Sequence, residues 1–301
     1  MIKLTIKIIL CLLPLILTAI TFELIARRIP NSYSAKVNLL MSKKDSVEIL
    51  IMGSSHSNHG INPKYWNKEA LNLANANQSL LQDYNILSKY LPECKKVRTV
   101  IIPISYFSLQ YDMASSPEQR RCAYYSFYMD VKGAESARFD IRNHSALFLW
   151  DGPLGVIESM RRNKVVMNEY GYQPPDNNKT INRETGKKSV AMREANMYIN
   201  LLGSNLKILE RMLTEFKSKD IKIIFATIPV YTTFSQNITK NNYDIMTSKI
   251  NNIATKYGVK YYNYFYDNRF DVSDFWDDDH LNEKGALKFS AILWNDMVKK
   301  Q

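Results

Sequence analysis

The chain has 301 residues, 46% of them hydrophobic, and a formal charge of +11. Length and apolar content suffice for one large core or two small ones and argue against a disordered chain. The positive charge favours anionic neighbours, but there is no zinc-finger spacing, RNA-binding aromatic signature or dense arginine stripe, which argues against nucleic acid.

At the amino terminus, Leu4 to Ala26 is an apolar stretch of the length that spans a bilayer, with Lys7 and Glu23 near its ends. Leucines stand where a signal-peptide cleavage site needs small residues, which favours an uncleaved anchor over residues 1–27. Flanking charges are nearly balanced and leave orientation open. Cys11 lies in this stretch behind Leu10, against lipidation; Cys94 and Cys122 are read as a pair in an oxidising compartment or as two separate thiols. Residues 28–46 are polar and irregular and read as a tether.

From residue 47 to 301 the pattern is that of an α/β domain. Short β-branched or aromatic runs at 47–53, 71–74, 97–104, 221–229 and 259–265 are the expected strands. Between them, Ser79 and Gln82 form a capping box before Leu81, Tyr84, Leu87 and Leu91, with a stop at Pro92. Residues 196–219 carry Leu202, Leu206, Leu209, Leu213 and Phe216 at helical spacing, and 241–256 and 283–300 follow. Such alternation predicts a three-layer, flavodoxin-like sandwich with a mostly parallel five-stranded sheet, all strand carboxyl ends on one edge. The stretch at about 112–195 breaks the rhythm. Its scattered Tyr124, Tyr125, Phe127, Tyr128, Trp150 and Tyr170, and the loop at 171–180, read as an insertion of the kind that forms lids and binding loops.

Two short blocks carry the chemistry. The first apolar run stops at Gly53 and hands over to Ser54 and Ser55, a strand-to-helix turn of the sort that presents a nucleophile. Far along the chain, Asp277 and His280 stand three apart before a helix with apolar face Ala286, Phe289, Leu293 and Met297. A serine hydroxyl is a weak nucleophile at neutral pH and needs an imidazole to take its proton and an acid to orient that imidazole. In a parallel α/β domain both blocks reach the same sheet edge.

On these residues the sequence resembles the SGNH or GDSL hydrolase-like superfamily, whose first block is a Gly-Asp-Ser turn and whose last is Asp-x-x-His followed by x-Asn-x-x-Gly, here Asp277, His280, Asn282 and Gly285. The resemblance implies Ser55 as nucleophile, His280 as base and Asp277 as its orienting acid. Ser54 replaces the family's aspartate. In the middle blocks Asn77 stands where glycine is expected, and no Gly-x-Asn-Asp follows the third strand, leaving Ser105 or Tyr106 near the asparagine's place. The implied oxyanion hole is the Ser55 amide with Asn77 and Ser105. Membrane-anchored relatives with altered middle blocks are similar to proteins that move acyl groups onto cell-envelope polysaccharides, including the D-alanyl transfer protein of teichoic-acid modification, and work beside a multispanning acyltransferase. The expectation is therefore a serine-dependent esterase or O-acyltransferase acting on cell-envelope carbohydrate, single-pass in the cytoplasmic membrane with its domain outside. The rival reading is a non-catalytic polysaccharide-binding or acyltransferase-docking module on the same fold.

His56 and His59, with His280, invite a metal reading, but no third ligand is set by spacing and the resemblance implies no metal or other cofactor. His56 is read as lining the pocket or starting a helix, His144 as structural or exposed, and Asp278 and Asp279 as helix-capping or solvent-facing.

Overall fold

The computed structural model describes residues 2–132, 139–176 and 179–299. Five strands, β1 (Ile49–Ile51), β2 (Ala70–Asn72), β3 (Thr99–Pro103), β4 (Lys222–Thr227) and β5 (Lys260–Asn263), form one sheet in the order β2-β1-β3-β4-β5. Every pairing is parallel, with Ile51 opposite Asn72 on one side and Ile101 on the other. β1 is buried along its whole length, as a strand covered on both faces must be. Period-two alternation sends Leu50, Met52, Val100, Ile102 and Phe225 to one core and Ile49, Ile51, Ile101, Ile224 and Ala226 to the other.

Twelve helices are described: α1 (Ile2–Ala26), α2 (Ser32–Lys43), α3 (Ser55–Gly60), α4 (Leu80–Tyr90), α5 (Arg121–Tyr128), α6 (Ala146–Leu149), α7 (Gly152–Arg162), α8 (Arg183–Glu194), α9 (Leu202–Lys217), α10 (Thr232–Ser235), α11 (Lys240–Tyr257) and α12 (Glu283–Lys299). The first core is closed by α4, α9 and α11 through residues such as Leu87, Leu213 and Ile250. α12 closes the second with Phe289, Leu293 and Met297. The chain runs from β1 outward to β2 and returns to β3 on the other side, so the order reverses at β1, the place where open α/β sheets leave a crevice at their carboxyl edge.

Three expectations change. Among the described residues no helix is long and apolar enough to cross a membrane, so neither the anchor nor the placement of a domain outside the cytoplasmic membrane stands. The last turn of α1 belongs to the domain. Phe22 and Ile25 pack on the first core, Ala26 lies within it, and the Glu23 carboxylate accepts from the amides of Ala146 at 3.1 Å and Leu147 at 2.9 Å.

The supposed tether holds α2, capped by the Asn31 side chain on the Ser34 amide at 2.9 Å, with Tyr33, Lys36 and Leu40 buried. Lys36 Nζ donates to Asn58 Oδ1 at 2.6 Å and to the Ala74 carbonyl, and burial pushes its pKa well below the usual lysine range.

The aromatics of the 112–195 stretch mostly serve the core. Tyr125, Tyr128 and Trp150 are buried in it, and Tyr124 and Phe127 pack against it, because α5 and α6 cover α1 and α2 with their apolar sides. Cys94 and Cys122 are both buried and not joined to each other.

Candidate active site

Two residues past the end of β1 stands Gly53, whose φ of +108° is open to glycine and strained for other residues. A Cβ there would meet Ser57 Cβ at 3.2 Å and Pro103 Cδ at 3.3 Å, so the turn is tight against β3 as well. The Gly53 amide donates to the buried Asp83 carboxylate on α4 at 3.0 Å, and Gln78 Nε2 donates to the same oxygen at 2.6 Å. Burial raises the Asp83 pKa to about 6. Ser54 is the N-cap residue of α3, which makes Ser55 the first helical residue, with an amide that has no acceptor inside the helix.

The second block is held by the loop before α12. Asn282 caps that helix by accepting from the Gly285 amide at 3.0 Å and donates through Nδ2 to the carbonyls of Ser273 at 2.8 Å and Phe275 at 3.1 Å. Gly285 is required because a Cβ would lie 2.0 Å from the Asp274 carbonyl oxygen. That pinned loop aims His280 at α3. His280 Nε2 is 2.8 Å from Ser55 Oγ, and Nδ1 is 2.8 Å from Asp277 Oδ1. Asp277 Oδ1 also accepts from the His280 amide at 2.9 Å, which ties the acid to the base through the backbone. The structure thus brings Ser55, His280 and Asp277 into one hydrogen-bonded chain.

A second set of groups backs that chain, and only part of it was expected. Asp279 is buried, neither capping a helix nor facing solvent, with Oδ1 3.1 Å from His280 Nδ1. Its Oδ2 accepts from Arg193 Nε at 2.8 Å and from His56 Nε2 at 3.1 Å. Asp278 is likewise buried, accepting from Thr185 Oγ1 at 3.2 Å and from Thr233 Oγ1. His56 Nδ1 accepts from Ser105 Oγ at 2.8 Å, and Ser54 Oγ lies 3.4 Å from that hydroxyl. Arg193 comes from α8 inside the 112–195 stretch and shows no motif in the sequence. Asp279 was in view, but only the fold reveals that it faces inward.

Electrostatics separates the three histidines. For His280, burial works to lower the pKa, but the carboxylates of Asp279 and Asp277 outweigh it and raise the value to about 9. Burial lowers His56 to about 4 despite Asp279, and burial with the nearby His280 charge lowers His59 to about 4. Asp279 is buried yet held well below the usual carboxylate range by Arg193 and His280. Ligand atoms of His56, Asp279 and His280 lie within 4.8 Å of one another, a spacing a metal could use. The Arg193 guanidinium already supplies the positive charge on Asp279, and His280 Nε2 is directed at Ser55, so the set is better matched to a proton relay than to a cation.

Of the expected oxyanion donors, Asn77 sits in the left-handed region at φ +57° on the wall of the Ser55 cavity. Its amide makes no hydrogen bond among the described residues. Ser105 is placed differently: its amide donates to Ser108 Oγ at 2.9 Å and its hydroxyl to His56, so neither donor faces Ser55. The buried Tyr106 points away, with its hydroxyl on Glu194. His59 lines the cavity, its Nδ1 donating to the Gln173 carbonyl at 2.9 Å. The cavity itself is about 580 Å3, and Trp276, Lys179, Lys188 and Ser189 are among the residues that line it.

No family model matches the sequence, and no curated protein matches it. Among solved structures, a Bacteroides fragilis protein provisionally described as an acylhydrolase is similar with a TM-score of 0.42 and 10% identity, over 84% of this chain and 86% of that one. A likeness at that level carries no argument about activity, and the side-chain geometry alone bears on what the site does.

Proposed function

We propose that the protein is a serine-dependent ester hydrolase or acyl transferase working through an acyl-Ser55 intermediate. The observation that carries this reading is the chain Ser55 Oγ to His280 Nε2 at 2.8 Å and His280 Nδ1 to Asp277 Oδ1 at 2.8 Å. Neutral His280 takes the Ser55 proton as the hydroxyl oxygen attacks the ester carbonyl, and Asp277 holds the imidazole in the matching tautomer. The Ser55 amide and the side chain of Asn77, which lines the same cavity, are the donors this reading assigns to the developing oxyanion. His280 then returns the proton to the leaving alcohol, and water or a second hydroxyl resolves the acyl-enzyme by the reverse steps. Asp279, held ionised by Arg193, adds a second negative charge against the imidazolium.

The alcohol side of the substrate is a hydroxyl-rich group such as a sugar. Lys179, Thr180, Lys188 and Ser189 line the cavity together with Trp276, over whose ring Lys179 Nζ sits 4.0 Å from the centroid, a combination that suits carbohydrate hydroxyls.

Intact-mass analysis of the full chain after exposure to a fluorophosphonate probe tests the reading. A single adduct is expected on the unmutated protein and none on folded Ser55→Ala or His280→Ala. No adduct on the folded, unmutated chain favours a binding module on the same fold.

A further inference from the structure

His59 stands half-buried on the wall of the Ser55 cavity and has no task in the Ser55 chemistry. Its Nδ1 donates to the Gln173 carbonyl at 2.9 Å. That carbonyl is itself held in place, because the Gln173 amide donates to the Asn58 carbonyl at 3.3 Å and Asn58 Nδ2 donates to Gln173 Oε1 at 2.9 Å. A carbonyl can only accept, so the proton of the neutral imidazole sits on Nδ1 and the lone pair on Nε2. Burial and the His280 charge lower the His59 pKa to about 4, which keeps the ring neutral.

The carboxylates on the same wall are already engaged. Asp277 Oδ1 faces His280, and its Oδ2 accepts from Lys179 Nζ at 3.3 Å. Asp278 accepts from Thr185 and Thr233, and Asp279 from Arg193 and His56. His59 Nε2, by contrast, has no donor among the described residues. Its ring lies 5.9 Å from that of His280, centroid to centroid and at 85°, and 5.6 Å from that of Trp276. His280 hands the serine proton to the departing alcohol, so the imidazole beside it faces the alcohol end of the ester. Two adjacent hydroxyl oxygens, each making a hydrogen bond of about 2.8 Å, span such a pair of rings.

We propose that His59 is a specificity-determining residue for the alcohol: its Nε2 accepts from a hydroxyl on the carbon next to the one bearing the ester oxygen, so the substrate is a monoester of a vicinal diol. In the reaction a C–O bond forms between Ser55 Oγ and the carbonyl carbon, the ester C–O bond breaks, and His280 delivers the serine proton to the leaving oxygen. His59 takes no proton and holds the neighbouring hydroxyl. An ether at that position leaves Nε2 covered by ligand and without a donor. The proposal rests on the reading of Ser55 as nucleophile and adds the alcohol to it.

The test compares 2-hydroxyethyl acetate with 2-methoxyethyl acetate, which share the acyl group and the reacting oxygen but differ in whether the neighbouring oxygen can donate. For the full chain, kcat/KM is measured on each in a pH-stat and divided by that ester's rate of hydrolysis by hydroxide. The hydroxy ester is expected to be favoured by about three- to tenfold, the worth of one hydrogen bond. His59→Phe keeps a ring between Trp276 and His280 without an acceptor, and is expected to bring the ratio to unity. His59→Leu serves if that variant fails to fold. A change that only disturbs packing slows both esters alike and leaves the ratio standing. Three results overturn the proposal while leaving Ser55 as nucleophile: a ratio of unity in the unmutated protein, a preference kept by the folded variants, or no turnover of either ester by a chain that takes the fluorophosphonate adduct. No turnover together with no adduct overturns the Ser55 reading and this proposal with it.

Discussion

At the scale of single residues, the proposed function turns on His280, because a general base works only when neutral and the Asp279 and Asp277 carboxylates raise its pKa to about 9. On the proposed function, kcat/KM is therefore expected to climb about tenfold per pH unit below that value and to level above it, which a pH–rate profile on a neutral ester checks. Asp279→Asn removes the strongest of the raising charges, so the limb is expected to move down toward the ordinary imidazole value. The same change leaves Arg193 buried without its anion at a cost of about 3–5 kcal/mol, visible in denaturant unfolding. Linkage runs with the same sign. The folded state holds the His280 proton more tightly than the unfolded chain, so the stability this contributes is complete below the unfolded value of 6.5 and is lost as pH rises through about 9. The His280→Ala variant is expected to lack that alkaline loss. The grouping of Ser55, His280 and Asp277 was legible in the sequence because a glycine–serine turn and an Asp-x-x-His block are short, recognisable contexts. Arg193 was not, since an arginine on a charged helix reads as solvated until the fold shows what it faces.

Among elements, the turn from β1 into α3 is the most constrained. Gly53→Ala meets both a left-handed φ and contacts at 3.2 and 3.3 Å, so a loss of about 1–3 kcal/mol is expected, together with slower fluorophosphonate labelling because Ser55 is two residues away. Asp83, which accepts from that turn, has a pKa raised by burial, and the sign is opposite to that of an ordinary paired carboxylate. Its contribution is complete below the unfolded value of 3.8 and is lost as pH rises through about 6. Asp83→Asn, which keeps an acceptor for Gly53, is therefore expected to level that part of the stability profile, whereas Asp83→Leu lowers stability throughout. The five strands were readable because runs such as 49–51 and 99–103 are apolar and β-branched on both faces. α2 escaped notice because its inward face includes Lys36 and its apolar positions are diluted by serine, asparagine and lysine.

Across the whole molecule, the amino-terminal region is structural. α2 places Tyr33, Lys36 and Leu40 in the interior, and Lys36 joins α3 to the Ala74 loop that leads to Asn77. A chain beginning at residue 22 is expected to keep its thermal midpoint near that of the full chain. One beginning at residue 47 is expected to melt lower by about 10 °C or more, because the buried Ala26, Ile29, Tyr33, Lys36 and Leu40 and the Lys36 partner of Asn58 are gone. Differential scanning calorimetry of the two truncations separates the outcomes.

Residue order by itself determined the local part of this protein: where apolar runs alternate with amphipathic ones, and where a glycine–serine turn and an aspartate–histidine pair interrupt them. Those features depend on neighbours within a few residues, so periodicity and turn chemistry expose them. Tertiary structure alone decided that the last turn of α1 and the inner face of α2 join the core, that most aromatics of 112–195 face inward, and that Arg193 and Asp279 stand behind His280. Each of those outcomes is set by which surfaces meet across tens or hundreds of residues, and a side chain's burial and charge state follow from its partners rather than from its place in the chain.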